Sequence, residues 1–262
     1  MRVATASEPA PGRANEDLVR TGRNWAAVFD GATRRLGEDG GCVHDVPWLV
    51  RTLGAALAEL LDDPRAGSAV PLPDALAAAI EATMAAHSGT CDLDDPGSPS
   101  STVAILRERD GLADHLVLCD SPIVLCHRDG HVEVVQDERL DRLPGGRPYS
   151  AELVRALRNT DGGFWVASTR PEAAYRAVTG TAPVASLRGA ALLTDGVSRL
   201  VEAYGTGWPA LADRLARYGP QALIRQVRET ERRLGPRGAV KPHDDATVAW
   251  ITWDDEPAER RG

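Results

Sequence analysis

Six Asp-Gly pairs punctuate the sequence, at Asp30, Asp39, Asp110, Asp129, Asp161 and Asp195. Such a pair ordinarily marks a tight turn, because Asp hydrogen-bonds locally and Gly accepts positive φ without steric cost. Two of the six have another setting. Asp30 ends the apolar run Val28-Phe29, Asp195 ends Leu192-Leu193-Thr194, and neither is followed by a returning β-run. A carboxylate at the end of a buried strand is held by a rigid scaffold, and the small Gly beside it leaves its carbonyl open to an ion. Asp120 closes the run Leu116-Val117-Leu118-Cys119, and Asp244-Asp245 open Ala246-Thr247-Val248. Glu16 and Asp17 stand in the turn-like Ala14-Asn15-Glu16-Asp17. Carboxylates gathered at one place raise each other's pKa, and a cation resolves the repulsion. The donors are all oxygen, which favours Mg²⁺ or Mn²⁺ over Zn²⁺. Two such ions sharing a carboxylate can acidify a water and neutralise phosphoryl oxygens, the chemistry of phosphate-ester hydrolysis. The competing reading is a set of unrelated acids in the surface loops of an acidic protein.

The elements that must carry these acids can be read from periodicity. Short β-type runs are expected at 25–29, 102–107, 116–119, 123–127, 131–135, 164–168, 190–194 and 246–253, with hairpin turns at Asp110-Gly111 and Asp129-Gly130. Helical spacing of apolar residues covers 48–61 and 73–86, a helix follows at 151–158, another opens at Pro171, and two or three lie within 197–234. Strand meanders with helices grouped at both ends suit a layered α+β domain, not a parallel doubly wound sheet. Residues 1–253 read as one domain and 254–262 as a loose tail. Antiparallel neighbours bring the end of one strand beside the start of the next, so Asp244 is expected near Asp30, Asp120 and Asp195.

Composition narrows the function. The 262 residues carry 38 acids against 30 bases, a formal charge of −8. That balance argues against a nucleic-acid partner, whose binding needs a basic surface to displace counterions. Lys241 is the only lysine, which points to a GC-rich genome and lowers the weight of any single Arg. The four cysteines lack C-x-x-C spacing, which favours a reducing, cytoplasmic compartment. No signal peptide or membrane span is expected. Ser121 and Ser198 lack a G-x-S-x-G setting, and no P-loop is present. The six histidines are scattered, and His243 reads as a surface residue beside Asp244. Arg225, Arg228, Arg232 and Arg233, interleaved with Glu229 and Glu231, read as a solvated helix face.

The same acids, in order, resemble a known family. Arg13-Ala14-Asn15-Glu16-Asp17, Val28-Phe29-Asp30-Gly31, Ser101-Thr102-Val103, Cys119-Asp120-Ser121, Leu193-Thr194-Asp195-Gly196-Val197 and Asp244-Asp245-Ala246-Thr247-Val248 are similar to the serial motifs of the metal-dependent protein phosphatases of type 2C, in a divergent bacterial form. The resemblance implies a four-layer α/β/β/α sandwich of two antiparallel sheets flanked by helices. It implies two Mg²⁺ or Mn²⁺ ions, with Asp30 bridging both. Asp195 and Asp244 would complete one ion, and Glu16 with the Gly31 carbonyl the other. Asp120 matches a weaker third-metal position, and Arg13 would hold the phosphate. The implied reaction is direct attack of a metal-bridging hydroxide on phosphoserine or phosphothreonine of a protein substrate, itself a target of a serine/threonine kinase. Three departures stand out. Arg13 and Glu16 are one residue closer than in the family pattern, Cys119 and Pro122 replace its Gly and Arg, and residues 136–189 match no motif. These leave two alternatives: a non-catalytic regulatory or binding module that keeps the fold, and a phosphatase of small molecules.

Overall fold

In a computed structural model of the chain, the described residues are 1–32, 41–63, 69–87, 89–236 and 241–253. The expected tail and Asp39 lie outside them. Among the described residues, ten strands form two five-stranded antiparallel sheets. The first sheet takes β1 (Arg2–Glu8), β10 (Ala246–Thr252), β9 (Leu187–Leu193), β6 (Ile123–His127) and β7 (Val132–Val135), in that spatial order. The second takes β2 (Leu18–Thr21), β3 (Trp25–Ala32), β4 (Ser100–Arg109), β5 (Leu112–Leu118) and β8 (Val178–Pro183).

Three layers of buried side chains bind four layers of structure. Val28, Ala104 and Leu106 meet Leu125, Leu192 and Ile251 between the sheets. Helices α1 (Val46–Leu61) and α2 (Leu72–His87) bury Leu53, Leu57, Leu76 and Ile80 against Phe29 and Ile105 on the outer face of the second sheet. Helices α4 (Asp195–Glu202), α5 (Trp208–Tyr218) and α6 (Pro220–Leu234) bury Leu200, Leu215 and Ile224 against Val124 and Val248 on the outer face of the first. This is the expected α/β/β/α sandwich. Central strands buried on both faces read as continuous apolar runs, which is why β3 and β4 were legible. The hairpin between β4 and β5 turns on Asp110 and Gly111, both at positive φ (51° and 75°), as a two-residue primed turn needs.

Four expectations need correction. Residues 164–168 form no strand; the apolar run instead buries Phe164 and Val166 with Leu143 and Cys119 beneath α3 (Ala151–Leu157), and pairs with a strand only through the isolated bridge of Ala167 to Ser101 of β4. The helix opening at Pro171 is a 3₁₀ helix, Pro171–Arg176. Three strands escaped the reading, β1, β2 and β8, and each is a sheet edge whose residues are largely exposed and so lack an apolar signature. Asp30 does not end its strand, because β3 runs on through Gly31 to Ala32 and pairs Asp30 with Thr102 of β4. No helix among the described residues is long and apolar enough to cross a membrane.

Candidate active site

The serial motifs of the sequence meet at one end of the two sheets, and hydrogen bonds between them show how. On the first sheet, β9 and β10 run antiparallel, so Thr194, just after β9, lies opposite Thr247 near the start of β10. Thr194 N donates to the Thr247 carbonyl (3.0 Å) and Thr247 N to Thr194 Oγ1 (2.9 Å). Thr194 Oγ1 in turn donates to Asp17 Oδ2 (2.8 Å). Asp195 then begins α4, and its backbone N–H donates to Asp30 Oδ2 across the gap between the sheets (3.2 Å). On the second sheet, Thr102 Oγ1 and Ser121 Oγ share a 2.5 Å hydrogen bond, which ties β4 to the corner that carries Asp120.

Two glycines permit the convergence. Neither Gly31 nor Gly196 has positive φ. A Cβ on Gly31 would stand 2.5 Å from the Glu16 carbonyl and 2.3 Å from Val46 Cγ1. A Cβ on Gly196 would stand 1.8 Å from the Asp245 carbonyl. Gly31 therefore admits the Glu16 segment, and Gly196 admits the turn of Asp244 and Asp245.

Asp245 is the hinge of this assembly, a role the sequence did not reveal. Its carboxylate is buried and accepts from the backbone N–H of Ala10 and of Glu16, both at 2.6 Å. It holds the N-terminal acid segment in place and leaves Asp244 as the member of the doublet turned to the rim. Asp244 pairs with Lys241 (3.3 Å) and with Arg199 (3.4 Å). Arg199 is itself buried and held by Glu231 at 2.8 Å. Glu231 also receives Arg228 and His243 Nδ1, so it is a buried hub and not part of a solvated face. His243, expected at the surface, is engaged by that hub (2.8 Å) and Lys241 by Asp244.

Electrostatics confirm that the acids share one neighbourhood. Burial pushes the Asp30 carboxyl well above the ordinary range, and the charges of Asp195, Asp17, Asp120 and Asp244 push it further. Burial, with Asp244 and Asp120, raises Asp195 to about 7. Burial raises Asp17 to about 8, although Thr247 and Thr194 hydrogen-bond to it. Asp30, Asp195, Asp244, Asp120 and Glu16 each remain partly exposed, so the group opens to solvent.

Two expected residues stand differently. Asp120 is paired with Arg147 at 3.2 Å, and Arg147 also holds Asp141 (2.9 Å). Arg147 comes from the 136–189 stretch that matched no motif. Arg13 is exposed, and its backbone N–H closes a turn onto Ala10 (3.1 Å).

Comparison with known proteins agrees with this geometry. The family model for protein phosphatase 2C matches residues 11–240. Among solved structures, the serine/threonine phosphatase PstP/Ppp of Mycobacterium tuberculosis aligns over 97% of this chain and 99% of its own, with 20% identity and a TM-score of 0.63. A PstP catalytic domain in complex with two manganese ions aligns over 95% and 96%, with 19% identity and a TM-score of 0.60. Serine-threonine phosphatase 2C of Toxoplasma gondii aligns over 96% and 94%, with 15% identity and a TM-score of 0.62. No curated protein sequence matches the chain. With serial acid motifs converging at one sheet end and a family match over most of its length, the chain belongs to the protein phosphatase 2C family.

Proposed function

We propose that residues 1–253 act as one metal-dependent phosphatase unit that hydrolyses phosphoserine and phosphothreonine on protein targets of a serine/threonine kinase. The observation that carries the reading is the convergence of Glu16, Asp30, Asp195 and Asp244, from four separate segments, on one partly exposed rim. Carboxylates driven up in pKa by burial and by one another suit a multivalent cation, whose charge would let all of them ionise. Their oxygen-only donor set suits Mg²⁺ or Mn²⁺. Asp30 would be shared by two ions, Asp195 and Asp244 would serve one, and Glu16 with the Gly31 carbonyl the other. Bound there, the ions would supply an acidified water and positive charge for the phosphoryl oxygens.

The chain's own residues fix the ligands. Arg199, anchored by Glu231, orients Asp244, while Asp245 holds the Glu16 backbone. Arg13, exposed at the turn before Glu16, would meet a phosphate from solvent. The Arg147 guanidinium on Asp120 favours two ions over three, because a third would have to displace it. None of the four cysteines is in a disulfide, which suits the cytoplasm.

A second reading, a regulatory or binding module without hydrolysis, draws on the basic side chains already paired with Asp120 and Asp244. One experiment separates them. Hydrolysis of p-nitrophenyl phosphate and of a phosphothreonine peptide is measured with Mn²⁺, then with EDTA, on the wild type and on Asp30→Asn and Asp195→Asn. The phosphatase reading expects Mn²⁺-dependent turnover of both substrates, abolished by EDTA and by either substitution. Turnover that survives EDTA sinks the two-metal assignment. Turnover of the small ester alone moves the substrate to small molecules, and Mn²⁺ binding without turnover supports the module.

A further inference from the structure

Cys42, His44, His87 and Cys91 lie outside the carboxylate site, and the chemistry above uses none of them. Cys42 and His44 precede α1, His87 is the last residue of α2, and Cys91 follows it. Cys42 Sγ stands 3.1 Å from Cys91 Sγ, 3.6 Å from His87 Nδ1 and 3.8 Å from His44 Nδ1. His44 Nδ1 stands 3.3 Å from Cys91 Sγ. All four donor atoms lie within 4.8 Å of one another.

A tetrahedral Zn²⁺, with Zn–S near 2.3 Å and Zn–N near 2.0 Å, has donor–donor edges of roughly 3.3–3.8 Å. The four side chains thus stand close to ligand spacing. We propose that Cys42, His44, His87 and Cys91 form a structural Zn²⁺ site.

Other features of the cluster support a built site. His87 is 1% exposed; among the described residues its Nδ1 meets only a thiol and its buried Nε2 has no hydrogen-bond partner. Burying an imidazole so poorly served is costly, and coordination at Nδ1 offsets part of that cost. Trp48 of α1 forms a wall, stacked on His44 at 3.8 Å between ring centroids and edge-on to His87 at 4.5 Å. The two ligand-bearing segments are braced by the Asp92 N–H on the Gly41 carbonyl (2.7 Å), and Thr90 Oγ1 donates to the His87 carbonyl (2.9 Å).

Two thiolates and two imidazoles fill a tetrahedron, so no position is left for water or substrate, and the site is structural. Thiolate and imidazole select Zn²⁺, while the carboxylate rim selects harder ions, so the two sites need not compete. The zinc would pin the start of α1 to the end of α2. Two residues beyond His44, Val46 packs against Gly31, so the pin supports the wall of the carboxylate site. The assignment does not depend on the phosphatase reading.

The test uses the full chain, purified without a polyhistidine tag or added metal and passed briefly through EDTA to strip weakly held ions. Zinc per chain is measured by inductively coupled plasma mass spectrometry. One zinc per wild-type chain is expected, retained in Asp30→Asn and lost in Cys42→Ser and Cys91→Ser. Because those variants can unfold, wild-type protein is also stripped and refilled with Co²⁺. A tetrahedral site with two thiolates then gives intense visible d–d bands and a near-ultraviolet thiolate-to-cobalt absorption, which the oxygen site cannot give. Absence of zinc together with absence of those cobalt bands overturns the proposal, whether the thiols titrate as free or as a Cys42–Cys91 disulfide.

Discussion

Replacing Asp245 with Ala separates the two members of the Asp244-Asp245 doublet. Asp245 is 8% exposed and accepts the N–H groups of Ala10 and Glu16, each at 2.6 Å. A hydrogen bond to a charged group contributes about 1.5–3 kcal/mol, and a buried donor left without a partner costs about 1–3 kcal/mol. Ala10 is 4% exposed, so water cannot readily replace the lost acceptor there, and its share is about 2 kcal/mol. Glu16 is partly exposed and can be rehydrated, so its share is about 1 kcal/mol. The sum, about 3 kcal/mol, is a loss of about a hundredfold in the folding equilibrium constant. One effect opposes it, because the Asp245 charge helps to raise Asp17. At about pH 6 that relief is silent, since Asp17, at about 8 in the fold, stays protonated even after a modest fall. The assay is urea unfolding at that pH in EDTA, so that bound metal contributes nothing. Asp245→Asn, which keeps one acceptor oxygen, should lose about half as much. A loss below about 0.5 kcal/mol for Asp245→Ala, the size of an ordinary surface substitution, would refute the clamp.

In EDTA the unfolding midpoint should fall as pH rises from about 4 through about 8. Asp195 and Asp17 carry folded pKa values of about 7 and about 8, so the folded state holds protons the unfolded chain has released. Saturating Mn²⁺ should abolish the fall, whereas a flat midpoint in EDTA would show that the acids are not mutually strained. Gly196→Ala should destabilise the protein by about 3 kcal/mol, the upper range for overpacking, because its Cβ would stand 1.8 Å from the Asp245 carbonyl; thermal denaturation reads it, and an unchanged midpoint counts against the close approach. Arg147→Ala frees Asp120 and should tighten Mn²⁺ binding by about fivefold, on the order of 1 kcal/mol for a partly exposed pair. Isothermal titration measures this, and unchanged or weaker binding removes Arg147 as a competitor.

Most of the site could be read before the fold because its acids adjoin buried strands, and buried strands are the plainest signal in a sequence. Asp30 follows Phe29 within β3, Asp195 stands two residues beyond the end of β9, and Asp244 two before the start of β10, so each acid inherited the legibility of its strand. The edge strands β1, β2 and β8 lacked that signal, having one or no buried residue each. Glu231 looked like a solvated helix acid because its partner Arg199 lies on another helix, a pairing only tertiary structure creates. The Cys-His cluster was missed for a related reason. Its half-sites, Cys42-Val43-His44 and His87 to Cys91, match no familiar zinc spacing, and they meet only because the α1–α2 hairpin returns the chain to its starting point.

The Asp-Gly pairs show why the acids gather despite repelling one another. At Asp110-Gly111 and Asp129-Gly130 the glycine has positive φ, and the pair turns a hairpin. At Asp30-Gly31 and Asp195-Gly196 the glycine is ordinary in φ, and its missing side chain lets another backbone approach. The approaching segment carries the next acids each time, Glu16 at Gly31 and Asp244-Asp245 at Gly196. Close packing of backbone, reinforced by the Asp245 bonds, therefore imposes the crowding of charge. Burial, with the neighbouring charges added to it, raises the carboxyl pKa values there. Part of the chain's acidic excess, the −8 of its composition, is thereby concentrated at one end of the sheets, where Arg147, Arg199 and Lys241 offset some of it and the divalent cations of the proposed function would offset more.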